Sequence, residues 1–262
     1  MALGFLFRKL GWIDEVFASK MNQFVFLVPL PILVFEDLAT VDFQEVWNLK
    51  FVLFCFFVTF ASIALAAGIS FLWKDRGIRG KFIQASYRSS AALLGIAFIR
   101  NIYGDAGLAP LMIIGSVPLY NIMAVVVLSF FQPERRKLDK ELWKKTLKGI
   151  VATPLGLMAL GASFDVQKTI GKIKPVTAAC ALKLVGFTTV FLPLAVMLGF
   201  RREELIAILV MLGSATTVSC YVMAKNMGHE GTVTSGVAML TTVFSAFTLT
   251  GWLFLLKSMG LV

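Results

Sequence analysis

The chain has 262 residues, of which 58% are hydrophobic and 15% charged, and its mean hydropathy is +0.83. That composition is too apolar for a water-soluble globular domain of this length and places the chain in a bilayer. The net charge of +10 does not point to nucleic acid, because the cations gather in short loops between apolar runs, the pattern that sets orientation in a membrane.

In chain order, a stub, Met1–Phe7, precedes Arg8 and Lys9. It has neither a charged leading region nor a cleavage site and does not read as a signal peptide. A proline-interrupted run, Gln23–Phe35, leads into an acidic connection with Glu36, Asp37, Asp42 and Glu45. Leu49–Trp73, Phe82–Tyr103 and Leu108–Phe131 are then each long enough to span a bilayer, which takes about 20 residues. A second proline-interrupted run, Ile150–Phe164, is followed by three more spans, Val176–Phe200, Leu205–Met223 and Thr232–Leu256.

Three basic clusters punctuate this order: Lys74, Arg76, Arg79 and Lys81; the run from Arg135 to Lys148; and Lys168, Lys172 and Lys174. The rule that cytoplasmic loops are positive assigns these loops to the cytoplasmic side. Loop charge obeys the rule through Lys148. If Ile150–Phe164 crosses alone, the Lys168 loop falls on the wrong side, so either that segment does not cross or one crossing is missing between Lys148 and Ala152.

Two stretches echo each other: Arg100-Asn101-Ile102-Tyr103-Gly104-Asp105-Ala106-Gly107 and Lys225-Asn226-Met227-Gly228-His229-Glu230-Gly231. Gly104 to Gly228 and Gly107 to Gly231 are both 124 residues apart. The register extends to Gly95, whose counterpart is Ser219, and brings Pro31 within one residue of Pro154. A duplicated membrane chain is usually a transporter with its site where the copies meet, and five crossings per copy would invert the second copy.

Cys55, Cys180 and Cys220 lie in apolar runs without ligand spacing and read as packing residues. His229 is the one histidine, so a zinc site or a histidine-dependent triad has no material. Gly104-Asp105 has no second mid-span aspartate to share a proton with, which argues against an intramembrane protease. No metal, cofactor or enzymatic activity is expected.

The polar residues within the spans carry more information. Lys183 lies eight residues past Pro175, roughly 12 Å into its span, and Arg88 lies at a similar depth past Lys81. A buried cation is costly unless paired, snorkelling recovers only part of that cost, and no aspartate or glutamate sits mid-span. An excess of cations suggests a cavity for an anion; snorkelling to the headgroups is the competing explanation. Asn121, in Pro118-Leu119-Tyr120-Asn121, is also deep, and suits either a ligand or an interhelical hydrogen bond.

Two spans carry small and hydroxylated residues at matched positions: Ser89-Ser90-Ala91-Ala92 with Gly95, and Gly213-Ser214-Ala215-Thr216-Thr217-Val218-Ser219. If both helices break there, four half-helices meet mid-membrane, two with N-termini that attract a carboxylate. Tight packing of unbroken helices is the alternative.

Together, Gly11-Trp12-Ile13-Asp14, Gly104-Asp105-Ala106-Gly107-Leu108, Leu119-Tyr120-Asn121-Ile122, Leu160-Gly161-Ala162-Ser163, Leu182-Lys183-Leu184 with Pro193, and Ala215–Ala224 resemble the auxin efflux carrier family. Its bacterial members are described as malate or malonate permeases, and its plant PIN-type members export auxin. The resemblance implies an all-α polytopic membrane protein of two inverted five-helix repeats with broken, crossing helices, like bile-acid and NhaA-like carriers. It also implies an elevator motion of a transport domain against a scaffold.

Against that pattern the chain is expected to lack part of helix 1 and helix 6, where loop charge already locates a gap. It also reads Gly95-Ile96-Ala97 where proline is frequent. The expected domains are a first repeat over 1–145 and a second over 146–262.

The resulting expectation is a secondary permease for small organic carboxylate anions in a bacterial inner membrane. Gly95 and Ser219 are expected to mark the crossover, with hydrogen bonds from Asn121, Thr216 and Thr217 and positive potential from Arg88 and Lys183. The expected partners are the substrate and the bilayer, with proton coupling and a homodimer left open. The alternatives are a sodium-coupled organic anion symporter and a non-transporting receptor or scaffold.

Overall fold

A computed structural model of the chain describes residues 47–104, 107–131 and 169–262. The stub, the Gln23–Phe35 and Ile150–Phe164 runs, and the gap near Lys148 lie outside the described residues. Within them the protein is all-α, and nine α-helices trace the six long apolar runs read from the sequence.

α1 (Leu49–Ser70) starts at Asn48, whose side chain accepts from the Phe51 amide, and α2 (Arg76–Tyr87) starts at Asp75, which caps Gly77 in the same way. A π-helical turn, Ala91–Gly95, leads into α3 (Ile96–Tyr103). α4 (Ala109–Phe130) opens with Pro110 in its first turn, where a missing N–H costs nothing. α5 (Ile173–Ala181), a second π-helical turn (Leu182–Gly186) and α6 (Phe187–Met197) form one continuous span. α7 (Glu203–Gly213), α8 (Ser219–Asn226) and α9 (Thr232–Ser258) complete the chain. Glu203 and Glu204 occupy the first turn of α7, where carboxylates complement the helix dipole.

Among the described residues, four helical segments are long and apolar enough to cross a membrane unbroken: Leu49–Ser70, Ala109–Phe130, Ile173–Met197 and Thr232–Ser258. The other two spans, α2–α3 and α7–α8, are interrupted. Large apolar side chains such as Phe57, Phe60, Phe247 and Phe254 remain exposed on α1 and α9, as expected of a surface that faces lipid rather than water.

Polar contacts sort the helix ends into two groups. At one end of the bundle Asn48 donates to Glu204, Lys50 donates to the Leu198 carbonyl, and the Arg202 amide donates to the Leu261 carbonyl. At the other end Arg76 donates to the Phe130 carbonyl, His229 to the Leu128 carbonyl, and Lys172 pairs with Glu230 at 2.6 Å. α1, α4 and α7–α8 therefore run one way, and α2–α3, α5–α6 and α9 the other. The ends at Phe131 and Thr169, which flank 132–168, lie on the same side.

The echoed Asn/Gly stretches lie at the ends of the interrupted spans. Gly104 (φ 94°) closes α3 and Gly228 (φ 78°) follows α8; their amides bond the Arg100 and Lys225 carbonyls. This left-handed backbone favours glycine, which explains why that residue recurs.

Candidate functional site

The two interrupted spans cross at their interruptions. α2 ends at Tyr87 and the chain is extended at Arg88 (φ −73°, ψ 118°); α7 ends at Gly213 and Ser214 is extended (φ −74°, ψ 163°). The two extended segments pair antiparallel at Ser89 and Thr216, with the Ser90 amide donating to the Ala215 carbonyl at 3.0 Å. The hydroxyls of Ser89 and Ser214 lie 2.6 Å apart. Small residues permit this close backbone approach, and their hydroxyls satisfy groups that a broken helix leaves bare.

A break orphans the last carbonyls of the preceding half-helix. Thr216 answers one of them: its Oγ1 donates to the Ala85 carbonyl at 2.8 Å, while its amide donates to Thr241 Oγ1 at 3.0 Å. Lys183 answers another. Only 1% exposed, it sits in the π-helical turn of the α5–α6 span and donates to the Tyr87 carbonyl at 3.2 Å. A cation at the C-terminal end of a helix also complements its dipole.

Arg88 faces different partners. Its Nη2 donates to Asn121 Oδ1 of α4 at 2.6 Å and its Nη1 to the Met223 thioether of α8 at 3.0 Å. Gln84, one helical turn before Arg88, also donates to Met223 Sδ at 3.6 Å. Arg88 is 4% exposed and Gln84 fully buried. No carboxylate pairs with Arg88 or Lys183 among the described residues, although Tyr87 and Tyr120 beside them belong to the main apolar cluster.

The remaining expected residues divide. Thr217 and Ser219 lie 3.1 Å apart through their hydroxyls at the start of α8, whose N-cap residue, Val218, supplies no side-chain cap. Gly95 is displaced from the crossing. The extended break falls at Arg88–Ser90, and Gly95 ends a helical π turn, where a side chain would strike Met112 Cε at 2.7 Å. That methyl is the far end of a flexible side chain and can give way; the backbones themselves pair at Ser89 and Thr216, a few residues from Gly95 and Ser219.

Sequence reading missed Gln84, Met223 and Thr241. Gln84 was accessible, since it precedes Arg88 by four residues, the spacing of one helical turn. Nothing in the sequence points from Met223 or Thr241 to the crossing.

Residues 1–151, more than half of the chain, match the model of the family described as membrane transport protein, the auxin efflux carrier family. The chain belongs to that family. It is therefore an integral membrane protein of a transporter family. No curated protein matches the chain.

Proposed function

We propose that this chain is a secondary permease for small organic carboxylates. The observation that carries the reading is the Arg88 guanidinium, buried where two broken helices cross and met by an amide oxygen and a thioether rather than a carboxylate. A guanidinium is the side chain best suited to hold a carboxylate by paired hydrogen bonds. Asn121 orients it. Thr217 and Ser219, with the N-terminal amides of α8, complete a surface that favours negative charge. Lys183 adds positive potential from the far side of the break.

The same arrangement supports two copies of opposite orientation, a first over 1–145 and a second over 146–262. α1, α2–α3 and α4 correspond in order and length to α5–α6, α7–α8 and α9, and each runs against its counterpart. The antiparallel pairing of Ser89 with Thr216 is what an in-plane two-fold axis produces. In this reading the end carrying Arg76, Arg79, Lys81 and Lys172 is cytoplasmic. The crossing moves as a unit in an elevator cycle, and proton coupling accompanies transport.

The test is uptake of labelled malonate, and of the monocarboxylate butyrate, into proteoliposomes with and without an imposed proton gradient. Uptake that a proton gradient accelerates, that replacement of sodium by choline leaves unchanged, and that Asn121→Ala removes is the expected result. Unchanged uptake by Asn121→Ala, or no carboxylate uptake by the unaltered protein, would overturn the reading.

A further inference from the structure

Of the polar contacts at the crossing, the meeting of Arg88 and Gln84 on Met223 is the least expected chemically. A thioether sulfur is a weak acceptor, whereas a guanidinium carries five strong donors and no acceptor. Two buried donors, one in the last turn of α2 and one at the extended residue after it, nevertheless converge on that sulfur, Gln84 Nε2 at 3.6 Å and Arg88 Nη1 at 3.0 Å. The Gln84 Oε1 is buried and has no hydrogen-bond partner, but as an acceptor it is not met by a carboxylate, so only the Nε2 donor bears on an anion. Met223 is fully buried beside Ala224, Met227 and Leu128. Buried donors normally find strong acceptors, and a thioether is a weak one.

We propose that Met223 is a displaceable occupant of the anion site, its sulfur standing where a carboxylate oxygen of the cargo binds, with Gln84 a second donor to that carboxylate. The inference rests on the carboxylate reading above and adds two residues to it. Charge-assisted bonds from a guanidinium to a carboxylate are shorter and roughly twice as strong as neutral ones, so an anion displaces the thioether. Methionine suits this place, since its unbranched side chain has three rotatable bonds and repacks readily. The exchange is also selective. A neutral carbonyl accepts better than the sulfur but lacks charge assistance, so it moves Met223 less readily than a carboxylate does.

Two measurements on the purified full-length chain in detergent test this, with malonate as the probe. First, the ¹³C ε-methyl resonance of Met223, assigned by loss in Met223→Leu, shifts as malonate is added to the unaltered protein. Second, Met223→Leu, close in volume but without the acceptor, binds malonate at least threefold more tightly by titration calorimetry. Gln84→Leu binds it at least tenfold more weakly.

Malonate binding with an unmoved Met223 methyl and an unchanged Kd in Met223→Leu overturns the displacement while leaving the carboxylate site intact. No malonate binding by the unaltered protein overturns both. A Met223 methyl that shifts equally with the neutral analogue malonamide also refutes the displacement.

Discussion

The two buried cations of the crossing differ in what they touch, and the difference separates their roles. Lys183 bonds a main-chain carbonyl at the end of α2, a group that the break itself orphans. Arg88, the next residue after that carbonyl's own, turns to side chains on two other helices, an amide oxygen and a sulfur. One cation is met by the backbone and the other by two side chains. Depth alone, which is what the sequence offers, does not distinguish them.

The sharpest way to break this contrast is to remove each cation in turn. Arg88→Gln is expected to cut carboxylate uptake about 100-fold, equivalent to ~3 kcal/mol of lost charge-assisted bonding, while thermal unfolding in detergent barely moves. Lys183→Ala is expected to destabilise the fold by about 2–4 kcal/mol, since it opens a cavity and leaves the Tyr87 carbonyl bare, and uptake fails with it. Lys183→Met, which keeps the volume, recovers part of that stability. If Arg88→Gln unfolds the protein while Lys183→Ala only slows transport, the roles are reversed.

Thr216 sharpens the same distinction at a smaller scale. It serves the backbone of both broken spans at once, donating to the Ala85 carbonyl and lying opposite Ser89. Thr216→Val keeps the shape but leaves that carbonyl unmet, at a cost of about 1–3 kcal/mol. Thr217→Val removes only a hydroxyl that bonds Ser219, so it should leave stability nearly unchanged. Thermal unfolding of the two variants side by side reads the difference. Equal loss in both would mean that Thr216 is no more structural than its neighbour.

How much of this was legible in sequence follows from what kind of signal each feature leaves. The six spans are long apolar runs and were found to within about three residues at every end except the start of the second, which lies at Arg76 rather than Phe82, because burial in lipid demands an unbroken composition. Both interruptions were marked by small and hydroxylated residues. The first was marked at Ser89-Ser90, where the chain extends, although Gly95, the residue expected to mark the crossing, lies beyond it at the end of a π-helical turn. The two π-helical turns were invisible, since a bulge is a matter of one hydrogen-bond register rather than residue type. That second turn carries Lys183 beneath α2. The Arg88–Met223 contact joins residues 135 positions apart, and no local pattern encodes it.

Away from the crossing, His229 offers the smallest and most specific test of how the ends are tied. It is 3% exposed in the loop between α8 and α9, and its Nε2 donates to the Leu128 carbonyl of α4 at 3.0 Å. That bond fixes the proton on Nε2 and leaves Nδ1 as the bare nitrogen, buried and without a partner. Burial lowers its pKa below the ordinary value of 6.5, and the Lys81 charge lowers it further against the opposing effect of the Leu128 bond. The unfolded chain therefore takes up the proton first as pH falls. The stabilising contribution of neutral His229 is complete above about pH 6.5 and is lost as pH drops through the lower folded value. Melting temperature should decline from pH 7 toward pH 5 by more in the unaltered protein than in His229→Gln, whose amide can still donate to Leu128 but does not titrate. Arg88→Gln, remote from this loop, should keep the full pH slope. Identical slopes in the unaltered protein and His229→Gln would show that this junction does not sense protonation.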